Sequence, residues 1–373
     1  MPAFGFAAPG QILFGRGTFA RAPALAATLG THAFLVHGRT PRHAQALMRA
    51  DAPATTAFAC PSEPDLPLLE AALSAARAAG CDCVLAVGGG AALDLGKAVA
   101  AMLNATGSPM DHLEVVGRGQ PLVAAPAPFM AVPTTAGTGA EMTKNAVIGV
   151  PQAARKVSLR DARMIARIAL VDPALTDHCP RAVTLASGLD AVTQVIEPWL
   201  SVRATPLTDA LCRMALPRGL AALARLMQAE DPAARDALAL TSVCGGLALA
   251  NAGLGAVHGL AGVIGGRAPG APHGAVCGAL IGPVLTANAQ ALDPATQSAR
   301  RIAELGPMMS GALGTADIAA WARDAGLPGL AALGLSPADL HDTAAQAQEA
   351  SSMKANPVRL DTQTLVDILR AAL

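Results

Sequence analysis

At 373 residues the chain is long enough for two domains, and a composition that is 52% hydrophobic supports sizeable cores. Its 27 Lys and Arg balance 27 Asp and Glu, a net charge of zero that argues against a nucleic-acid or anionic-membrane surface and leaves small molecules as the expected ligands. The seven cysteines are odd in number and form no C-x-x-C pair, and the start Met1-Pro2-Ala3-Phe4-Gly5-Phe6 lacks a basic region followed by an apolar core, so a reducing, cytoplasmic setting without a secretory signal is expected.

Ile12-Leu13-Phe14 reads as a strand, 18–29 as an alanine-rich helix, and Ala33-Phe34-Leu35-Val36 as a second strand. His37-Gly38-Arg39-Thr40 follows, then a helix over 41–50, and a long alanine-rich helix over 66–80. Next comes Val84-Leu85-Ala86-Val87-Gly88-Gly89-Gly90-Ala91-Ala92-Leu93-Asp94-Leu95-Gly96-Lys97, four apolar residues of a buried strand, three glycines and the start of a helix. Glycine lets the backbone approach a ligand, and the free amides and dipole of the following helix favour negative charge, so this turn has the makings of a phosphate cradle. A purely steric glycine turn has the same pattern, since neither Gly-x-Gly-x-x-Gly nor Gly-Lys-Ser/Thr is present. Cys81 and Cys83 precede the turn at alternate strand positions, one face, and read as two small buried thiols rather than metal ligands.

A proline-rich connection over 120–129 leads into Ala131-Val132-Pro133-Thr134-Thr135-Ala136-Gly137-Thr138-Gly139-Ala140-Glu141-Met142-Thr143, a strand running into small hydroxyl and glycine residues. Residues 145–148 and 156–158 then suggest a hairpin, and Ala169-Leu170-Val171-Asp172 closes the half. Strands and helices in this succession imply an α/β domain, 1–179, on a doubly wound, mostly parallel sheet. From about 180 helix follows helix, so 180–373 is expected to be an all-α domain. Residues 237–266 carry no formal charge but hold Thr241, Ser242, Asn251, His258 and many glycines, and fit a buried helix pair better than a membrane span.

In the helical half, Asp190 and Gln194 stand four apart, on one helix face, and His258 and His273 arrive later, the second in a glycine- and proline-rich loop. One carboxylate, one carboxamide and two imidazoles make a possible divalent-metal set; hydrogen-bonded core histidines are the alternative. Arg267, the single charge between the two histidines, reads either as a loop cap or as a partner for an anionic substrate.

Together the glycine turn and the Pro133-Thr134-Thr135-Ala136-Gly137-Thr138-Gly139-Ala140-Glu141-Met142-Thr143 stretch resemble the iron-containing (group III) alcohol dehydrogenases of the dehydroquinate-synthase-like superfamily, with Ala91 and Ala140 where serine is frequent. The resemblance extends from Phe14-Gly15 to Asn356-Pro357. It implies reversible, metal-dependent hydride transfer between a primary or secondary alcohol and NAD or NADP, in a homodimer or larger homo-oligomer. Gly89, Gly90, Ala91, Asp94, Thr134, Thr135, Thr138, Thr143 and Lys156 would then serve the dinucleotide. Gly38 would face the adenosine ribose where an aspartate is frequent, with Arg39 beside it permitting NADP; a solvated Arg39 and a surface Lys156 are the alternatives.

The same resemblance assigns the catalytic metal, Fe2+ or Zn2+, to Asp190, His258, His273 and the position of Gln194, where the family has a histidine. A carboxamide there weakens the site, and a metal-free enzyme stays open. Gly262, four residues after His258, stands where alcohol-specific members carry a proton-relaying histidine. A maleylacetate-reductase-like or other oxo-acid reductase is the alternative, although that branch alters the aspartate position kept here. A dehydroquinate-synthase-like lyase lacks its basic patch, and a catalytically silent homologue is the third reading.

Overall fold

The computed structural model describes residues 3–48 and 52–373. Two compact units emerge, one of Ala7–Thr135 with Ala140–Asp177, the other of His178–Leu373 with the short segment Ala136–Gly139 and residues 3–6.

The first unit is built on six parallel strands: β1 (Gln11–Phe14), β2 (His32–His37), β3 (Ala54–Ala59), β4 (Cys83–Gly88), β5 (Phe129–Pro133) and β8 (Ile168–Val171), in the order β1-β8-β5-β4-β2-β3. Two further strands, β6 (Asn145–Val150) and β7 (Arg155–Arg160), pair antiparallel as the expected hairpin. Alternation across the pleat sorts the sheet into two cores. Phe34, Val36, Val84, Ala86, Phe129 and Ala131 face the layer formed with α2 (Leu66–Ala78) and α3 (Gly90–Met102). Ala33, Leu35, Cys83, Leu85, Val87, Met130 and Val132 face the other, where the short α1 (Ala22–Ala26) packs. A sheet covered on both faces is the doubly wound arrangement expected.

Some details differ from expectation. The helix predicted over 18–29 is a 3-10 turn, Thr18–Arg21, followed by α1, because Pro23 sits at the start and leaves only a short run. Of the helix predicted over 41–50, Ala44–Met48 forms a 3-10 turn, and residues 49 and 50 lie outside the described residues. Strand β3, unanticipated, pairs beside β2 at the sheet's edge. Cys81 and Cys83 do not share a face: the strand begins only at Cys83, so the alternation does not reach Cys81, and the two thiols enter opposite cores. Both are free and buried.

The second unit is helical: α4 (Arg181–Leu200), α5 (Pro206–Leu226), α6 (Pro232–Ala252), α7 (Ala256–Arg267), α8 (His273–Ala291), α9 (Gln297–Leu313), α10 (Ile318–Asp324), α11 (Leu340–Ala347) and α12 (Thr362–Ala371). Polar side chains fix the starts: Thr205 makes a capping box for α5, and Asp231 accepts from the amides of Ala233 and Ala234 to start α6. From Gly188 to Leu200 every residue of α4 is buried, and the helix packs against α5, α6 and α8. Helix α6 is long and apolar enough to cross a membrane, yet 72% of its most apolar window is buried inside the protein.

Candidate metal centre and dinucleotide cradle

In the parallel sheet the chain runs outward from β2 to β3, returns to β4 on the other side of β2, and continues away through β5. The order therefore reverses between β2 and β4, and the crevice at the carboxyl ends of such a strand pair is where open α/β sheets take ligands. Gly38 and Arg39 follow β2 there, and Gly89 and Gly90 follow β4. A Cβ on Gly88 would stand 2.7 Å from Ala92 Cβ and 3.4 Å from the Gly38 amide, so only glycine lets the two strand ends and α3 come this close. Gly89 is the N-cap of α3 and contributes no side-chain bond, leaving the first amides of the helix, Gly90 and Ala91 among them, to be met from outside.

The other candidate residues of this unit are tied down to different degrees. Thr134 donates its amide to the Gly88 carbonyl, and the Thr135 side chain lies against Gly89, 3.4 Å from where a Cβ would be. Asp94 accepts from the Val147 amide at 3.0 Å, joining α3 to the hairpin. Buried Lys97 donates to the Ala140 carbonyl, the Thr143 hydroxyl and the Asn145 carbonyl at 2.6–2.8 Å, so Thr143 is committed to an internal cation. Burial pushes the Lys97 ammonium down to about 8, against Asp94 and Glu141, and pushes buried Glu141 up to about 7. Lys156 pairs with Glu63, and exposed Arg39 donates to the Pro61 carbonyl at 3.2 Å. Thr138 belongs instead to the segment Ala136–Gly139 that packs with the helices.

In the helical unit three elements converge. Asp190 comes from the middle of α4, His258 from the first turn of α7, and His273 opens α8. His258 Nε2 lies 3.3 Å and His273 Nε2 4.0 Å from Asp190 Oδ1, and the two imidazole centroids are 5.5 Å apart. Cys277, one helical turn after His273, places Sγ 3.6 Å from His273 Nε2. These four donor atoms all lie within 4.8 Å of one another.

Glu197, seven residues after Asp190 and so on the same side of α4, fixes the set from behind. Its Oε2 accepts from His258 Nδ1 at 2.6 Å and its Oε1 from the Val257 amide at 2.7 Å. A carboxylate can only accept, so the Nδ1 proton points at Glu197, and in the neutral imidazole the Nε2 lone pair points at Asp190. Asp190 Oδ1 and His258 Nε2 are both buried without a hydrogen-bond partner. Two electron-rich atoms facing each other in a dry site call for a cation between them.

The surrounding groups favour positive charge at this cluster, whether it is carried by protons or by a metal ion. Burial disfavours a charged imidazole, but Cys277, Glu197 and Asp190 lift His258 well above its ordinary range, and Cys277 with Asp190 lifts His273 to about 9. Burial likewise opposes a charged Asp190, yet its contacts with His258 and His273 hold the carboxyl below its ordinary range. Gln194, the remaining candidate, donates from Nε2 to the Gly137 carbonyl at 3.3 Å, while its Oε1 is buried without a partner.

A model of the iron-containing alcohol dehydrogenase matches residues 9–173, and one of the C-terminal part of the Fe-containing alcohol dehydrogenase family matches 184–373. The chain belongs to the iron-containing alcohol dehydrogenase family. It is 33% identical over 312 residues to an NAD-dependent methanol dehydrogenase of Bacillus methanolicus, an alignment covering 79% of this chain and 77% of that one. It is 36% identical over 241 residues to the probable alcohol dehydrogenase EutG of Escherichia coli (strain K12), covering 63% of this chain and 59% of the relative. The alignments to EutG proteins thus span little more than half of those relatives' length. Among solved structures, an alcohol dehydrogenase from Oenococcus oeni superposes over 100% of both chains with a TM-score of 0.85 at 28% identity.

For a member of this family two positions stand out. A Cβ on Gly262 would meet nothing within 4 Å, so the place four residues after His258 is open space. Arg267 is paired with Asp339 at 3.3 Å and Asp342 at 3.8 Å, a tie between the end of α7 and the segment around α11. Sequence reading passed over Glu197 and Cys277, although each carried a signal: Glu197 is two turns from Asp190, and Cys277 repeats after His273 the four-residue spacing of Asp190 and Gln194.

Proposed function

We propose that this chain is a metal-dependent alcohol dehydrogenase that exchanges a hydride between a primary or secondary alcohol and NAD or NADP. The observation that carries the reading is the buried, partnerless pair of Asp190 Oδ1 and His258 Nε2 among further donors. Asp190, His258 and His273 would hold the ion, with the Gln194 carboxamide oxygen beside them. Bound there, Fe2+ or Zn2+ supplies Lewis-acid polarisation of the substrate oxygen, and the nicotinamide supplies the hydride exchange.

The remaining work falls to the chain. Glu197 keeps the Nε2 lone pair of His258 turned inward, and α4 holds Asp190 dry, where its charge acts at full strength. Gly262 leaves room for substrate and contributes no proton carrier. In the sheet unit, Gly89, Gly90 and Ala91 offer amides to a diphosphate, with Thr134 and Thr135 as hydroxyl donors, and Thr138 adds a third hydroxyl from the segment grouped with the helices. Asp94, bonded to the hairpin, sets the start of α3, and Thr143 and Lys156, engaged by Lys97 and Glu63, act by shaping the surrounding loops. Gly38 presents no carboxylate to the ribose, and Arg39 beside it suits a 2′-phosphate, so both NADH and NADPH are expected to serve. The division of labour follows 1–179 for the dinucleotide and 180–373 for metal and substrate. A cytoplasmic homo-oligomer completes the reading.

The test is an aldehyde-reduction assay with NADH and with NADPH on wild type and Asp190→Ala. The variant should lose metal and turnover while binding dinucleotide nearly as before; normal turnover in Asp190→Ala overturns the assignment.

A further inference from the structure

We infer that Cys277 is a thiolate ligand of the metal centre, filling the place that an imidazole at position 194 would otherwise take. The inference rests on reading Asp190, His258 and His273 as metal ligands, and is carried by distances. Bonds of about 2.0–2.2 Å to nitrogen or oxygen and about 2.3 Å to sulfur, at tetrahedral angles, put neighbouring donors about 3.3–3.6 Å apart. The separations are 3.3 Å for His258 Nε2 to Asp190 Oδ1, 3.6 Å for Cys277 Sγ to His273 Nε2 and 4.0 Å for His273 Nε2 to Asp190 Oδ1. The sulfur is therefore at ligand spacing from His273, and it lies within 4.8 Å of the Asp190 and His258 donor atoms.

Gln194 is the weaker claimant. Its carboxamide is committed through Nε2 to the Gly137 carbonyl, which also accepts from Ser242, and a neutral amide oxygen adds no charge. Cys277 is fully buried on α8, and its sulfur faces both His273 and His258. On binding, the S–H bond breaks, the proton leaves to solvent, and the sulfur lone pair forms the bond to the ion. A two-histidine, one-carboxylate, one-thiolate set is softer than three histidines and a carboxylate, and selects zinc and cobalt(II) over manganese or magnesium.

The test uses the full chain loaded with cobalt(II), read by metal stoichiometry and by absorption. One cobalt per chain with a near-ultraviolet sulfur-to-cobalt charge-transfer band, absent in Cys277→Ser and retained in Gln194→Ala, supports the inference. Cys277→Ser should also bind zinc about tenfold or more weakly, since disturbing even the supporting shell of a ligand has effects of that size. One cobalt per chain without the band, or with a band that survives Cys277→Ser, overturns the thiolate while leaving the metal centre standing. Failure to bind cobalt overturns both. Should Cys277→Ser fold poorly, X-ray absorption at the zinc edge of the wild type decides: one sulfur at about 2.3 Å supports it, and only nitrogen and oxygen contradict it.

Discussion

Glu197 touches neither substrate nor dinucleotide in this account, yet its two bonds, to His258 Nδ1 and to the Val257 amide, set the direction in which His258 offers its lone pair. Glu197→Gln keeps the volume and removes the obligate acceptor, so zinc affinity measured by competition with a chelator should fall about 10- to 100-fold. An unchanged affinity would mean that the ring is held by packing alone. A second residue-level prediction concerns Glu141 and Lys97. The folded value of Glu141 lies above its ordinary 4.5, at about 7, so its contribution to stability is present at low pH and is lost as pH rises through that window. Lys97 has its folded value lowered from 10.5 to about 8, so stability is regained as pH climbs across that second window. Urea titrations across the lower window should show a fall in wild-type stability that Glu141→Gln lacks; parallel curves would contradict it.

At the scale of elements, α3 lies so close to the sheet that a Cβ on Gly96 would meet Ala86 Cβ at 2.7 Å and the Phe129 ring at 3.3 Å. Gly96→Ala gains about 1 kcal/mol in helix propensity but overpacks the core at about 1–3 kcal/mol, and thermal denaturation should show a net loss. A raised Tm would mean that helix and sheet separate without strain. Helix α7 gives the opposite case: the open space at Gly262 should accept Gly262→His with stability changed by no more than about 0.5 kcal/mol. The elements themselves were legible to unequal degrees. Strands β2, β4, β5 and β8 are near-continuous apolar runs, as strands covered on both faces must be. The edge strand β3, Ala54–Ala59, is half-exposed and carries two threonines, so nothing in its pattern separates it from a loop. Asp190, His258 and His273 were singled out through motifs, and the fold brings them together. Cys277 was not, because its four-residue spacing from His273 in an apolar helix suits a packed thiol as well as a coordinating one.

For the whole molecule, all seven cysteines are free, and six of them are buried. Denatured in the presence of a chelator and without reductant, the protein should therefore yield seven reactive thiols, and native protein far fewer; a lower count after denaturation would reveal a disulfide that this fold does not contain. The family relationship spans both units, through residues 9–173 and 184–373, and the chemistry proposed here asks each for a different part: glycine and threonine donors at the end of a parallel sheet, and a buried cation site among helices. Dependence on that cation is the central claim. Its most direct measurement is alcohol oxidation with NAD before and after exhaustive chelation, with metal content determined in parallel. We expect about one divalent ion per chain, activity lost as the ion is removed, and activity restored by adding zinc or iron(II). Full turnover in protein shown to be metal-free would contradict it.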